Sequence, residues 1–470
     1  MFPPFETDEA HRYCLELISA IENGVLYFKQ ITPESEERKN QGNMLGSLVC
    51  KDKKGRKIIL HSISGISKNI FVNKKNTGKV KILFKNRWTS DGIEHIIVPP
   101  LVSDRKITRA LKKNDRKIHE LTKKIDELKL SHKDCSFEKN LRTKLCDKSL
   151  KKVFSLYSFT CADKTKISLN KIIKEKYGTL PPTGTGDCCA PKLLSYAFSH
   201  DYLPLSMDEV YYGPDTQKKT NLVSYPPCDE RCGFILPYIL KLEIIYRDSQ
   251  IIVVNKQSGV LSVPGRGKKK FDSIETRVRT LFPECIKQPA VHRLDMETSG
   301  ILVLAFTKET HRELNRQFQE GEVSKKYTAL LDGLLEDARG EMAPEKNQIS
   351  GIMKLKFRLD PDNRPHQIYD EVYGKEGITE WKKEGTKLFI NPVTGEKKRL
   401  TRVTFIPHTG RTHQLRLASA DLHGFGLPIT GDALYGECKE GERLMLHAGE
   451  ITFKHPFTKE LLHFEVPSPF

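Results

Sequence analysis

The chain has 470 residues, of which 38% are apolar and 29% charged, and a formal net charge of +18. That length exceeds one ordinary core and predicts two or three domains. No apolar run is long enough to span a bilayer and the opening "MFPPFETDEAHRYC" lacks the basic-then-apolar order of a secretion signal, which argues against membrane and secreted classes and predicts a cytoplasmic protein.

Eleven cysteines with irregular spacing read as reduced thiols rather than a disulfide framework. The charge is unevenly placed. Residues 51–90 carry 12 Lys/Arg against one acid and residues 101–180 carry 22 against ten, so the remainder sums to −5. Such a surface attracts polyanions by phosphate neutralisation and counterion release; a lysine-rich solvated surface that binds nothing has the same composition.

Residues 1–100 mix short apolar runs, "KIILHSISGI" and "VKILF", with turn residues, and are expected to form a small β-containing module. Residues 101–176 have almost no Pro or Gly and place Ile107, Leu111, Ile118, Leu121, Ile125 and Leu128 on one helical stripe. A second helical stretch after "SHKDCS" carries Leu141, Leu145, Leu150 and Val153, so a basic helical hairpin or short antiparallel coiled coil is expected. It serves either as a spacer or as a positively charged arm against RNA.

Residues 177–240 are expected to be a Cys-containing connecting segment, with "LPPTGTGDCCAPKLLSYAF" as a Pro/Gly loop entering an amphipathic helix. Cys188, Cys189, Cys228 and Cys232 fall in two clusters about 40 residues apart. Adjacent cysteines and a three-residue gap depart from the usual two-residue spacing of zinc ligands, so buried thiols that pack the extension are expected rather than a metal.

From residue 241 to 470 the pattern turns to strands: "EIIYRDSQIIVVNK", "ILVLAF", "KKYTALL", "RVTFIP", "EITFKHP" and "ELLHFEVP", with a helix over 308–319. Several antiparallel strands with few helices predict an α+β domain with a mixed, mainly antiparallel sheet, behind an α+β N-terminal extension that contains the helical hairpin.

Three stretches carry candidate chemistry. In "HRLDMETSG" a Thr-Ser-Gly corner precedes a strand, Gly300 relieves steric strain, and Asp295 stands on a rigid edge as either a turn cap or an active-site acid. "HTGRTHQLRL" offers Arg411, His413, Gln414 and Arg416, from which an arginine can pair with Asp295 and keep it ionised. In "SKKYTALL", alternation points Tyr327 away from Lys326, toward either a core or a cleft where it stacks on a base. "VPGRGKKK" lacks the ending of a phosphate loop and reads as a basic turn; "HRLD" resembles a kinase catalytic loop by chance, since the other kinase signatures are missing.

"HRLDMETSG", "KKYTALL", "GRTHQLR" and "LMLHAGEITFKHP" resemble, in order and approximate spacing, the motifs of RluA-type pseudouridine synthases across residues 241–470. "LSVPGRG" and "NRPHQ" resemble the family as well. "GTGDCCAPKLLSYAF" and "YPPCDERC" resemble long-form members with a large N-terminal extension, which are linked to a uridine of the tRNA anticodon loop and one of 23S rRNA.

The resemblance implies a cofactor-free isomerase of RNA that breaks N1–C1′ of uridine, turns the base and joins C5 to C1′. It makes Asp295 the carboxylate, acting through C1′ or C6, Arg416 its partner, and Tyr327 the ring packed on uracil. Arg293 would fill the gap left by the flipped base, His292 would either bind substrate or only shape the loop, and Arg411, His413 and Gln414 would complete substrate binding. The implied partner is tRNA or 23S rRNA, with no membrane, and the expected state is a monomer. The small S4 module with which many relatives begin has no pattern here, so RNA docking falls to the basic extension. Two other readings are an N-glycosidase with Glu297 as a second acid, which lacks the paired carboxyls of glycosidic hydrolysis, and an RNA chaperone with a vestigial site, against which Asp295, Tyr327 and Arg416 argue.

Overall fold

A computed structural model describes residues 5–30, 42–65, 68–73, 81–84, 86–176, 180–265, 272–345 and 347–470. The basic end of "VPGRGKKK" and of "LSVPGRG", from residue 266, lies outside the described residues. The chain divides into two compact units, Met1–Lys241 and Leu242–Phe470.

The N-terminal unit opens with helix α1 (Asp8–Glu22), which the composition of residues 1–100 did not announce. Its buried residues, Ala10, Tyr13, Cys14, Leu17 and Ile18, recur at the three- and four-residue steps of an apolar helix face. That face packs on a sheet of β1 (Asn43–Lys51), β2 (Lys57–Ile63), β3 (Lys81–Phe84), β4 (Arg87–Ser90) and β5 (Ile93–Ile97), with Leu45, Ile63 and Trp88 in the shared core.

The expected hairpin forms from α2 (Asp104–Leu130) and α3 (Ser136–Phe154). Ile107 and Ile125 of the stripe are buried and its other members half-buried. Asn114 Nδ2 donates to Ser149 Oγ at 2.9 Å, and Lys124 pairs with Glu138 at 2.8 Å, an antiparallel register.

The segment expected to connect the two halves does more than connect. Its helix α4 (Cys189–Ser199) is buried on nearly every side rather than amphipathic, and even Lys192 is enclosed, with Nζ donating to the Ile63 carbonyl. The next strand, β6 (Leu203–Tyr212), pairs antiparallel with β1 and completes the sheet order β6-β1-β2-β5-β4-β3. The six-stranded sheet is thus closed by a strand from beyond the hairpin. A strand whose residues are buried on both faces gives no alternation by which to detect it.

The C-terminal unit is built on one large sheet. Its strands are β7 (Ile244–Arg247), β8 (Ile251–Lys256), β9 (Ser299–Ala305), β10 (Ser324–Leu331), β11 (Ser350–Leu359), β12 (Gln367–Tyr369), β13 (Lys375–Ile390), β14 (Lys397–Pro407), β15 (Leu446–Lys454) and β16 (Leu461–Glu465). They run in the order β7-β8-β9-β15-β10-β14-β13-β11-β12, with β16 beside β15. Among the described strand pairs of this sheet only β9–β15 is parallel, so the sheet is mixed and mainly antiparallel, as expected. Helix α5 (Lys308–Gln319) follows β9 directly, and Thr307 caps it by accepting the Thr310 N–H at 3.1 Å. The short helix α6 (Gln414–Ala420) follows β14. Among the described residues, no helix is long and apolar enough to cross a membrane.

Candidate active site

Strand β9 is buried along its whole length, and the loop before it carries Asp295. This loop is held by hydrogen bonds on both sides of the acid. Ser262 Oγ donates to the Leu294 carbonyl at 2.7 Å and accepts the Leu294 N–H at 3.0 Å. Ser258 Oγ donates to the Glu297 carbonyl at 2.6 Å. Lys256, fully enclosed at the end of β8, donates to the carbonyls of Met296, Val260 and Gln257 at 2.9, 2.7 and 3.1 Å. Burial pushes its ammonium down to about 7, against the pull of Asp295 and Glu297. At the start of the strand Gly300 has φ +120°, and a Cβ there would collide with the Ala448 carbonyl of the parallel neighbour β15. Only glycine satisfies both the conformation and the close approach.

Asp295 lines a cavity of about 710 Å³ in the C-terminal unit, together with Arg293, Phe318, Lys325, Tyr327 and Arg416. Among the described residues that line it, Asp295 is the only carboxylate. Two cationic or potentially cationic groups face it: Arg416 Nη1 at 3.5 Å and His413 Nε2 at 3.8 Å.

Arg416 is 4% exposed and is committed elsewhere. Its Nε and Nη2 grip the two oxygens of Asp432 at 2.8 and 2.6 Å, a bidentate pair with an acid that is wholly buried. Burial works against the charged guanidinium, Asp432 more than offsets it, and the group is held above its ordinary range. Asp432 also accepts the N–H groups of Leu434 and Tyr435 at 3.0 and 3.2 Å.

His413 sits at φ +56° and is oriented by Tyr435. The Tyr435 oxygen accepts the Gln367 N–H at 2.8 Å and lies 2.8 Å from His413 Nδ1, to which its hydroxyl can donate. In that arrangement the neutral imidazole carries its proton on Nε2, the nitrogen that faces Asp295. Burial lowers the His413 pKa, partly offset by Asp295. Tyr435 additionally lies with its ring 5.4 Å from the Arg416 guanidinium carbon.

Tyr327 projects from β10 into the same cavity, while its neighbour Lys326 points out and pairs with Glu450 at 2.7 Å. Burial first, and then the Asp295 charge, hold the Tyr327 phenol well above its usual value, so it is protonated at neutral pH. Arg293 and Arg411 are exposed at the cavity wall. Arg411 Nε donates to the Glu376 carbonyl at 3.0 Å.

Gln414 and His292 line the cavity and are also engaged with the protein itself. Gln414 is 4% exposed and uses both ends of its amide on protein. Its Nε2 donates to the Ile378 carbonyl and Thr379 Oγ1 at 3.1 and 2.9 Å, and its Oε1 accepts from Thr409 Oγ1 and the Arg411 N–H at 2.8 and 3.0 Å. It has no hydrogen-bonding capacity left for a ligand. His292 accepts the Val303 N–H on Nε2 at 3.1 Å and stacks on Phe318 at 4.8 Å; burial, then Lys325, push it down to about 3, so it is a neutral fixture of the loop.

Asp432, Tyr435 and Lys256 give no signal in the sequence. "GDALYG" and "VVNK" carry no chemical pattern, and their importance arises from what they touch after folding.

Residues 250–421 match the family model described as RNA pseudouridylate synthase. The dual-specificity RNA pseudouridine synthase RluA of Haemophilus influenzae is 41% identical over 232 residues, which are 49% of this chain and 94% of that relative. The chain belongs to the RluA-type pseudouridine synthase family. It is an isomerase that acts on RNA. The RluA of Pasteurella multocida is 38% identical over 253 residues, 53% of this chain and 99% of that protein. These relatives are therefore spanned almost completely by about half of this chain. A solved structure, human RNA pseudouridylate synthase domain containing 1, has 27% identity over 49% of this chain and 84% of its own, with a TM-score of 0.37.

Proposed function

We propose that this synthase isomerises a specific uridine in structured RNA, in the tRNA anticodon stem-loop, in 23S rRNA or in both, with Asp295 as the acting carboxylate. The observation that carries the assignment is a carboxylate that stands alone among the described residues of a basic and aromatic cavity, faced by Arg416 and His413. Isomerisation needs one such group, whereas hydrolysis of a glycosidic bond needs two across the sugar. Glu297, the second acid of the glycosidase reading, is not among the cavity residues.

In this mechanism the target nucleotide leaves its stack and enters the cavity, and Arg293 occupies the space behind it. Tyr327 packs on the uracil ring. Asp295 acts at C1′ or C6, the N1–C1′ bond breaks, the base turns, and C5 joins C1′. C5 gives up its hydrogen as a proton and N1 gains one, so the mass of the RNA is unchanged. Because Arg416 is neutralised by Asp432, its remaining Nη1 orients Asp295 without consuming the negative charge. The relatives are dual-specificity RNA pseudouridine synthases by name, which supports action on more than one RNA. The basic hairpin of residues 104–154 is assigned the role of RNA arm, in a cytoplasmic monomer.

Pseudouridine mapping of tRNA and rRNA from cells with and without the gene tests the substrate. A site lost with the gene and restored by the wild-type copy is expected in an anticodon loop or in the large ribosomal RNA. Unchanged maps of both RNAs contradict the proposal.

A further inference from the structure

The N-terminal unit contains a second cluster of reactive side chains, unconnected with isomerase chemistry. The sulfur atoms of Cys188, Cys228 and Cys232 all lie within 4.8 Å of one another, from positions 40 and 44 residues apart in the chain. Tetrahedral zinc with Zn–S bonds of about 2.3 Å requires sulfur atoms about 3.8 Å apart, so small rotamer adjustments suffice to close the set.

Local backbone explains the convergence. Cys188 is the residue just before helix α4, and its extended backbone sets it at the start of that helix. Cys228 and Cys232 are joined by one wide turn, with the Cys232 and Gly233 N–H groups donating to the Cys228 carbonyl at 2.9 and 3.1 Å. That turn brings residues four apart to the same side and substitutes for the two-residue spacing of common zinc loops. The adjacent Cys189 is excluded: its Sγ points into the sheet, 3.4 Å from the Met44 carbonyl and 3.6 Å from that of Ser62. Cys232 is buried, Cys188 half-buried and Cys228 exposed, so an ion has a way in.

We propose that Cys188, Cys228 and Cys232 bind one zinc ion as three thiolates. No fourth His, Cys, Asp or Glu among the described side chains lies within the same span, and water takes the fourth corner. Binding releases the thiol protons to solvent and ties the start of helix α4 to the turn before Leu236–Leu240, so the ion contributes to folding of this unit.

The test uses the full-length protein, purified under reducing conditions without a metal-binding tag. Metal analysis is expected to give about one zinc per chain, and cobalt added to the metal-stripped protein is expected to give the thiolate charge-transfer band of a tetrahedral Co–S site. Cys228→Ser, the exposed and least disruptive change, is expected to cut zinc content at least tenfold and remove the cobalt band, while Cys189→Ser keeps both. A circular dichroism spectrum checks that each variant is folded. Stripped wild-type protein that is folded, has all eleven thiols reactive in denaturant and takes up neither metal overturns the proposal. So does a purified wild-type chain in which two of these cysteines titrate as a disulfide, or loss of zinc that is equal in Cys189→Ser and Cys228→Ser.

Discussion

Arg416 holds Asp432 more tightly than it holds Asp295: two hydrogen bonds of 2.8 and 2.6 Å go to the buried acid, and a single nitrogen stands 3.5 Å from the half-buried one. The arginine is a neutralised strut rather than a free counter-ion. Asp432→Asn is therefore expected to let the guanidinium turn fully onto Asp295, misplacing it and weakening it as a nucleophile or base. The rate under single-turnover conditions should fall about 100-fold, the scale of an ångström-level misplacement, with RNA affinity little changed. A rate within threefold of wild type, measured by tritium release from C5-labelled RNA, would contradict the strut.

Tyr327 has a protonated phenol and a ring against the cavity. If it acts by stacking, Tyr327→Phe retains most activity, and Tyr327→Ala loses about 1–3 kcal/mol of interaction with the base. Steady-state kinetics separates the two. Loss of activity in Tyr327→Phe equal to that in Tyr327→Ala assigns the chemistry to the hydroxyl instead.

Lys256 gives a pH signature. Its folded pKa of about 7 lies below the ordinary value of 10.5, so between those limits the unfolded chain binds the extra proton. Stability then rises with pH across that window, by up to about 1.4 kcal/mol per unit, as the cost of a buried charge is relieved. Denaturation of wild type and Lys256→Met at pH 7, 8 and 9 tests it: the difference between the two proteins should shift in favour of wild type as pH rises. A difference that does not vary with pH refutes the assignment.

Gly300→Ala must place a methyl group against the Ala448 carbonyl at a backbone angle that L-residues avoid. A loss of about 1–3 kcal/mol is expected, read as a lower denaturation midpoint of the C-terminal unit. An unchanged midpoint would show that β9 and β15 separate without cost.

The hairpin's exposed Lys112, Lys113, Lys117 and Lys123 are candidates for pairing with phosphate. Reversing them to Glu should weaken RNA binding and flatten its salt dependence, by about 0.7–0.9 in slope for each phosphate no longer neutralised. Identical slopes for wild type and variant assign the hairpin to spacing.

What can be read before folding depends on the kind of pattern each element leaves. The hairpin stripe and the strands around "IIVVNK" and "ILVLAF" are periodic or continuously apolar, and they fold as read. The face of α1 is equally periodic, but it is masked by the short apolar runs and turn residues that dominate residues 1–100. Strand β13 is hidden for a different reason: its sequence "KEGITEWKKEGTKLFI" is mostly polar and exposed, and only Gly377, Thr379 and Trp381 are buried. At the site, motif resemblance locates Asp295, Arg416 and Tyr327, which the fold brings to one cavity. It does not separate ligands from supports. Gln414 of "GRTHQLR" spends its whole amide on backbone and side chains, His292 of "HRLD" gives Nε2 to the Val303 N–H, and Asp432 and Tyr435 lie outside every motif.

The decisive experiment bears on Asp295. Single-turnover assay of Asp295→Asn on the RNA identified by mapping, with binding measured in parallel, separates chemistry from docking. Expected are RNA affinity within a few-fold of wild type and no pseudouridine formed over many wild-type half-lives. Pseudouridine formed at the wild-type rate would remove Asp295 from the reaction.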